Sequence, residues 1–253
     1  MNRTILFSGG MDSVALWLEY PDAHLVYVRI GAPYEERELN SLHQRGMINR
    51  VTVLPTGKWL GPCGDSMGRV PMRNLFFAVA AAAATPCDEV LLGATAGETS
   101  PDKSRHFAAM ASAAMSAAEG RSIRLVMPFR GITKRQLVAR VLNRNTGWSE
   151  ASADKSAAML RDCPSCYEPD LPPGMAGCGK CMSCVRRWAA MSQNGISENY
   201  VAPPWEVDTT MKRGLLKYLR RTPVRDWWGV AKVNYDLLQA VKRQRNAQAN
   251  LDW

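Results

Sequence analysis

Arg3-Thr4-Ile5-Leu6-Phe7-Ser8-Gly9-Gly10-Met11-Asp12-Ser13 opens the chain with a short apolar strand that runs straight into a turn of serine and glycine. Two adjacent glycines let the backbone turn tightly and bring its N–H groups up to an anion. A helix expected from about Asp12 to Glu19 adds the positive end of its dipole at the same place. Ser8 and Ser13 contribute hydroxyl donors without bulk, and Asp12 is suited to hold a magnesium ion on a phosphate chain. Ser-Gly-Gly alone would equally suit a strand-to-helix turn that binds nothing. The six-residue string at the end of the first strand favours a nucleotide. No Gly-Lys-Ser/Thr follows, so the loop is not of the Walker type.

Outward from this loop the chain alternates strand and helix. Strands are expected at residues 24–30, 50–54, 89–92 and 122–126, and helices at 34–45, 71–84 (with Pro71 in the first turn), 103–118 and 133–144, the last capped by Thr133 with Gly147 just beyond. This order predicts an α/β fold with a parallel sheet covered on both faces. Such sheets bind ligands at the carboxyl ends of their strands, where the glycine-rich turns fall. From about Ala151 the pattern changes. Residues 162–182 form a loop rich in cysteine, proline and glycine, a short helix is expected at 183–193, and the rest is basic and rich in tryptophan. The expected division is therefore 1–150, 151–195 and 196–253.

Five of the seven cysteines, Cys163, Cys166, Cys178, Cys181 and Cys184, lie within 22 residues, and Cys63 and Cys87 stand apart. Cys178-Gly179-Lys180-Cys181-Met182-Ser183-Cys184 spaces three thiols so that they can turn toward one ion. Cys166 or Cys163 supplies a fourth, and the three histidines, His24, His43 and His106, are remote in sequence. A closed four-cysteine zinc site of structural type is expected; an iron–sulfur cluster or free structural thiols are the alternatives. Clustered, odd-numbered cysteines favour metal over disulfides, which fits a cytoplasmic protein. No apolar run reaches the ~18–20 residues of a membrane span, and the start does not read as a signal peptide. The net charge of +9 and pI near 9.4 favour anionic partners of any kind.

The loop Ser8-Gly9-Gly10-Met11-Asp12-Ser13 resembles the Ser-Gly-Gly-x-Asp-Ser signature of the PP-loop ATP pyrophosphatases. Several families share it, and later motifs choose among them. Val70-Pro71-Met72-Arg73-Asn74, Leu92-Gly93-Ala94 with Pro101-Asp102, Pro128, Thr133-Lys134, and Cys166-Tyr167 followed by Gly177-Cys178-Gly179-x-Cys181-x-x-Cys184-x-x-Arg187 are similar to the 7-cyano-7-deazaguanine synthase (QueC) family. The likeness spans about residues 3–190. Where that family carries Tyr-Gly-Gln-Arg-His, this chain has Ile30-Gly31-Ala32-Pro33-Tyr34, and where it carries Asp-Cys-Arg, this chain has Asp102-Lys103-Ser104.

The resemblance implies a Rossmann-like PP-loop domain (adenine nucleotide alpha hydrolase-like) with a small zinc-binding C-terminal region, and a homodimer. It implies a ligase that uses ATP and Mg²⁺ to convert 7-carboxy-7-deazaguanine and ammonia into the nitrile, through an adenylate and an amide. Ser8, Gly9, Gly10, Met11, Asp12, Ser13 and Arg73 would then bind the nucleotide, Asp12, Ser13 and Lys134 would serve the chemistry, and Asn74, Glu98 and Asp102 the substrate. Cys166, Cys178, Cys181 and Cys184 would hold Zn²⁺. Plainer readings are solvated helix charges for Arg73 and Lys134 and ordinary loop carboxylates for Glu98 and Asp102. The tail (Lys212, Arg213, Lys217, Arg220, Arg221, Trp227 and Trp228) suits nucleic acid, although tryptophans and leucines at helical spacing more often pack onto a core or a partner subunit. Rival functions are an enzyme that stops at the amide, a tRNA-modifying PP-loop enzyme, and a non-catalytic zinc-containing nucleic-acid binder.

Overall fold

The computed structural model describes residues 1–57, 70–98, 100–145, 150–166, 168, 170–206, 237, 239, 240, 243 and 244. Expectations for Cys63, Gly147, Tyr167 and the basic and aromatic tail residues 212–228 lie outside the described residues. The chain forms two compact units, Met1–Ala94 with Ser100–Pro128, and Thr95–Thr99 with Phe129–Trp253.

The first unit is built on β1 (Arg3–Leu6), β2 (His24–Arg29), β3 (Val51–Pro55), β4 (Glu89–Leu91) and β5 (Arg124–Val126), all parallel in the order β3-β2-β1-β4-β5. Successive strand residues point to opposite faces, yet Ile5 and Leu6, and Val90 and Leu91, are all buried. The sheet is therefore covered on both sides, which is why its strands read as unbroken apolar runs. Each such side chain contributes about 1.5–3 kcal/mol on burial. The helices are α1 (Met11–Glu19), α2 (Glu35–Gln44), α3 (Arg73–Ala84) and α4 (Arg105–Glu119).

Polar groups finish the sheet at its amino end and its edge. Glu89 is buried and takes Arg3 at 2.8 Å and Arg124 at 2.6 Å, three residues in register on adjacent strands. Edge strand β5 is engaged by serines of α4: Leu125 donates to Ser112 Oγ at 2.9 Å, and Ile123 exchanges hydrogen bonds with Ser116 at 2.9 and 3.0 Å. An edge so occupied offers fewer free groups to another strand.

Two helix starts differ from expectation. Helix α3 begins at Arg73 rather than Pro71, because Met72 sits in the left-handed region at φ 56° and breaks the helical path before it. Residues Pro101–Lys103 form a separate 3-10 turn, after which Ser104 caps α4 by accepting from the Phe107 N–H at 3.0 Å. Helix α3 is also less enclosed than its alanine content suggests: Ala78, Ala81 and Ala82 are buried while Val79 is exposed.

The second unit contains α5 (Lys134–Asn145), α6 (Glu150–Arg161) and α7 (Met182–Ser192), with α5 packed on both others. Thr133 and Gln136 close a capping box: Gln136 N–H donates to Thr133 Oγ1 at 3.3 Å, and Thr133 N–H to Gln136 Oε1 at 2.9 Å. Helix α6 has no counterpart among the expected elements. Leu237 and Ala240 from the C-terminal segment pack with Val185, Trp188 and Ala189 of α7, and the Trp205 ring lies tilted against Trp188 at 5.6 Å between centroids. At those positions the tail is core. Among the described residues no helix is long and apolar enough to cross a membrane.

Candidate functional site

The strand order reverses between β1 and β4, the place where an open parallel sheet leaves a crevice at its carboxyl ends. Strand β1 leads there into Ser8-Gly9-Gly10, and β4 into Leu92-Gly93. Gly10 is the N-cap of α1 and makes no side-chain cap, so no capping side chain stands between the positive end of the helix and an anion. Ser13 is buried and donates from Oγ to the Gly10 carbonyl at 2.9 Å, latching the turn from behind. Gly10 N–H lies 3.3 Å from Ser8 Oγ. Gly93 allows close approach: a Cβ there would stand 2.9 Å from Asp12 Cβ and 3.3 Å from the Ser13 nitrogen. Any larger residue would push the start of α1 away from the crevice.

One contributor was missed in the sequence. Arg45, the C-cap of α2, donates from Nη1 to the Gly9 carbonyl at 3.0 Å. In a trans peptide C=O and N–H point opposite ways, so holding the Gly9 oxygen aims the Gly10 N–H away from Arg45. Its Nη2 is buried without a hydrogen-bond partner among the described residues. No local motif marks this arginine; only the packing of α2 brings it to the loop.

Arg73 and Asn74 leave the start of α3 in different directions. Arg73 donates to the Tyr34 hydroxyl at 2.6 Å and lies over its ring at 5.9 Å. Asn74 is buried and donates to Asp102 Oδ2 at 2.8 Å, while Ser100 holds the other carboxylate oxygen. Asn74 and Asp102, expected separately, thus form one hydrogen-bonded pair.

Near Arg73, Glu38 accepts from Tyr27 at 2.8 Å. Burial pushes its carboxyl from 4.5 up to about 7, opposed by the Tyr27 hydroxyl and the Arg73 and Arg37 charges and helped by Glu35. A raised carboxyl stabilises the fold fully below its unfolded value and loses that contribution as pH rises through the folded one. Stability should therefore fall by up to about 3 kcal/mol between pH 4.5 and 7 on this account. Glu38→Gln should flatten that slope, read as the difference in urea unfolding between variant and wild type at pH 5 and pH 8.

In the second unit, Thr95-Ala96-Gly97-Glu98 forms a tight turn with Gly97 at φ 78°. Glu98 Oε1 accepts from the Thr95 N–H at 3.2 Å and the Thr95 hydroxyl at 3.4 Å. Lys134 is the first residue of α5 and half-buried. Glu98 and Lys134 belong to this unit, and the Ser8–Ser13 loop, Arg73, Asn74 and Asp102 to the first.

The cysteine loop gathers four thiols. Cys166, Cys178, Cys181 and Cys184 hold their Sγ atoms within 4.8 Å of one another. Neighbouring pairs stand at 4.0 Å (Cys166 and Cys181), 3.9 Å (Cys178 and Cys184) and 3.4 Å (Cys181 and Cys184). Tetrahedral zinc with Zn–S bonds of about 2.3 Å needs sulfurs roughly 3.8 Å apart, so the donor set fits that ion. Hydrogen bonds from Cys181 and Cys184 hold the Cys166 thiol far below its ordinary value, and the same contacts push Cys184 up and Cys181 up to about 11. A cation would replace the shared protons. Cys163 is outside the set, its thiol donating to the Met159 carbonyl at 3.2 Å.

Close packing explains the glycines around these thiols. A Cβ on Gly177 would overlap Cys184 Sγ, and one on Gly179 the Ala202 carbonyl. Residues 199–202 run beside the loop through a single parallel bridge of Gly177 with Tyr200, with the Val201 and Ala202 N–H groups donating to the Gly177 and Cys178 carbonyls at 3.1 and 3.2 Å. Arg187 is 1% exposed and ties Glu198 to the ends of α6 and the cysteine loop.

No curated protein matches this chain. A family model described as "Queuosine biosynthesis protein QueC" matches residues 64–195, a span that begins after the glycine loop and takes in Arg73, Asn74, Asp102, Lys134 and all four clustered cysteines. Together with the parallel sheet and the gathered thiols, a match over half of the chain shows that it belongs to the QueC family of queuosine biosynthesis proteins.

Proposed function

We propose that this chain is a 7-cyano-7-deazaguanine synthase. Membership of the QueC family makes it an ATP-dependent enzyme of the PP-loop class in queuosine-type biosynthesis. The observation that carries the finer reading is the Ser8–Ser13 loop at the carboxyl end of β1, beside the reversal of strand order and ahead of a helix without a side-chain cap.

The first step joins the substrate carboxylate to the α-phosphorus of ATP and releases pyrophosphate. Ammonia then attacks the acyl carbon, AMP leaves, and a proton passes to solvent, giving the amide. A second ATP adenylates the amide oxygen, and loss of AMP with the remaining nitrogen protons leaves the nitrile. In this reading Ser8, Gly9, Gly10, Met11, Asp12 and Ser13 bind the phosphate chain, and Arg73 and Lys134 neutralise its charge. Asp12 would hold Mg²⁺, which supplies charge stabilisation to the departing pyrophosphate. Glu98, with the Asn74–Asp102 pair, would read the deazaguanine. Zn²⁺ on Cys166, Cys178, Cys181 and Cys184 would be structural, since four thiolates leave no open position. The regions 1–150, 151–195 and 196–253 would serve as catalytic domain, zinc loop and extension, in a cytoplasmic homodimer.

The test is mass spectrometry of products from ATP, Mg²⁺, ammonium and 7-carboxy-7-deazaguanine. Nitrile with two AMP and two pyrophosphate per acid is the expected result. An amide that persists would select an amidating enzyme instead, and absence of AMP would overturn both. Within this reading, Arg45→Ala should raise KM for ATP by about tenfold or more, because one charge-assisted hydrogen bond to the loop is lost. Pyrophosphate release against ATP concentration measures it, and an unchanged KM would remove Arg45 from the site.

A further inference from the structure

We propose that Arg186 is a positioning residue through which the cysteine loop sets the Thr95–Glu98 turn that presents Glu98 to the acid substrate. The last clause rests on the proposed function; the mechanical part does not.

The turn is held from outside itself at almost every polar group. Arg130 donates from Nη1 to the Thr95 carbonyl at 3.3 Å and from Nη2 to the Glu98 carbonyl at 3.1 Å. Ala96 N–H donates to the Ile132 carbonyl at 2.8 Å. These partners lie within residues 129–132, just ahead of α5. The Gly97 carbonyl has a different partner, Arg186 Nη2 at 3.2 Å, from α7. Gly97 is the softest point of the turn, since glycine at positive φ resists rotation less than any other residue. Arg186 therefore holds the one peptide that most needs holding. Fixing the Gly97 oxygen also aims the Glu98 N–H the opposite way, toward the Thr95 carbonyl at 3.4 Å. The direction in which the Glu98 side chain leaves the turn follows.

Arg186 in turn takes its position from the thiols. Cys181 is the N-cap of α7, Cys184 lies in its first turn, and Arg186 follows two residues later. Bringing Cys181 and Cys184 to Cys166 and Cys178 fixes the rotation of α7 about its axis, and so where residue 186 points. Arg186 Nε is buried without a hydrogen-bond partner among the described residues. The side chain thus holds the turn while leaving a donor unmet, which a purely stabilising contact would have no reason to retain.

The test combines hydrogen exchange with kinetics on the zinc-loaded protein. Arg186→Ala should keep its zinc, and should raise amide exchange in the peptide covering 95–98 by about 10–100-fold, the loss of one hydrogen bond from a charged donor. Exchange at residues 8–13 should not move. KM for 7-carboxy-7-deazaguanine should rise about tenfold or more with KM for ATP unchanged, and Arg186→Lys should recover part of it. Stripping zinc from wild type should produce the same rise in exchange at 95–98. Unchanged exchange there in Arg186→Ala overturns the proposal, and so does raised exchange with an unchanged KM for the acid. If wild type turns over no acid, the proposed function fails by itself, and the exchange arm still decides whether Arg186 sets the turn.

Discussion

Arg187→Met should lower the stability of the zinc-loaded protein by about 3–5 kcal/mol, the range for removing one partner of a buried ion pair. Arg187 is 1% exposed, and the Glu198 side chain 3%. All five N–H donors of the guanidinium are engaged: Nε with both Glu198 oxygens at 2.9 and 3.0 Å, Nη1 with the Cys163 carbonyl and Ser165 Oγ, and Nη2 with Glu198 and the Leu160 and Arg161 carbonyls. Methionine fills much of the volume but leaves Glu198 charged in a site that water does not reach, with Tyr200 at 2.7 Å as its remaining partner.

The same substitution takes a donor from the Leu160 and Arg161 carbonyls at the end of α6, leaving the Leu160 oxygen with the Cys163 N–H at 3.3 Å. It also releases the loop from Cys163 to Ser165, one residue short of Cys166 in the thiol cluster. Zinc affinity should therefore fall together with stability. Urea unfolding and metal content read the two effects. Adding Glu198→Gln to Arg187→Met should recover part of the stability, because the stranded charge is gone. Arg187→Lys should remain well below wild type, since three donors on one nitrogen cannot reach acceptors on opposite sides. A loss below 1 kcal/mol in Arg187→Met would show that the pair is dispensable.

What the residue order made legible, and what it hid, divides by range. Strands β1, β2 and β4 are readable because burial on both faces demands unbroken apolar side chains. The turn after β1 is readable because backbone that must bend tightly declares itself as glycine, here with Gly9 at φ 72°. The cysteine set is half legible: spacing brings Cys178, Cys181 and Cys184 together, but Cys163 and Cys166 differ only in how Arg187 and the following loop direct them. Helix α6 escapes notice because its inward positions are Ser156, Ala157 and Leu160, residues too small or polar to mark a helical stripe. Arg45, Arg130 and Arg186 escape for another reason. Each grips a main-chain carbonyl 32 to 89 residues away, and a carbonyl carries no residue identity by which a pattern can find it.

Asp12→Asn should reduce AMP formation by about 10³-fold, the scale on which a metal ion or a placed charge stabilises a departing pyrophosphate. Asparagine has the same shape, so the approach of Gly93 to this side chain is preserved, and the helix keeps its start. Asp12 lies in the first turn of α1, where a negative charge adds only about 0.3–1 kcal/mol to stability. Unfolding should therefore scarcely change while turnover collapses, which separates a chemical role from a structural one. If the carboxylate holds the cation, the Mg²⁺ concentration needed for half-maximal rate should also rise sharply in the variant. Ser13→Ala provides the contrast. Its hydroxyl faces the Gly10 carbonyl at 2.9 Å, so its loss loosens the loop and should lower the rate by only about tenfold, the worth of one hydrogen bond. Were Asp12→Asn to keep activity within tenfold of wild type, the carboxylate would not be the group that meets the metal.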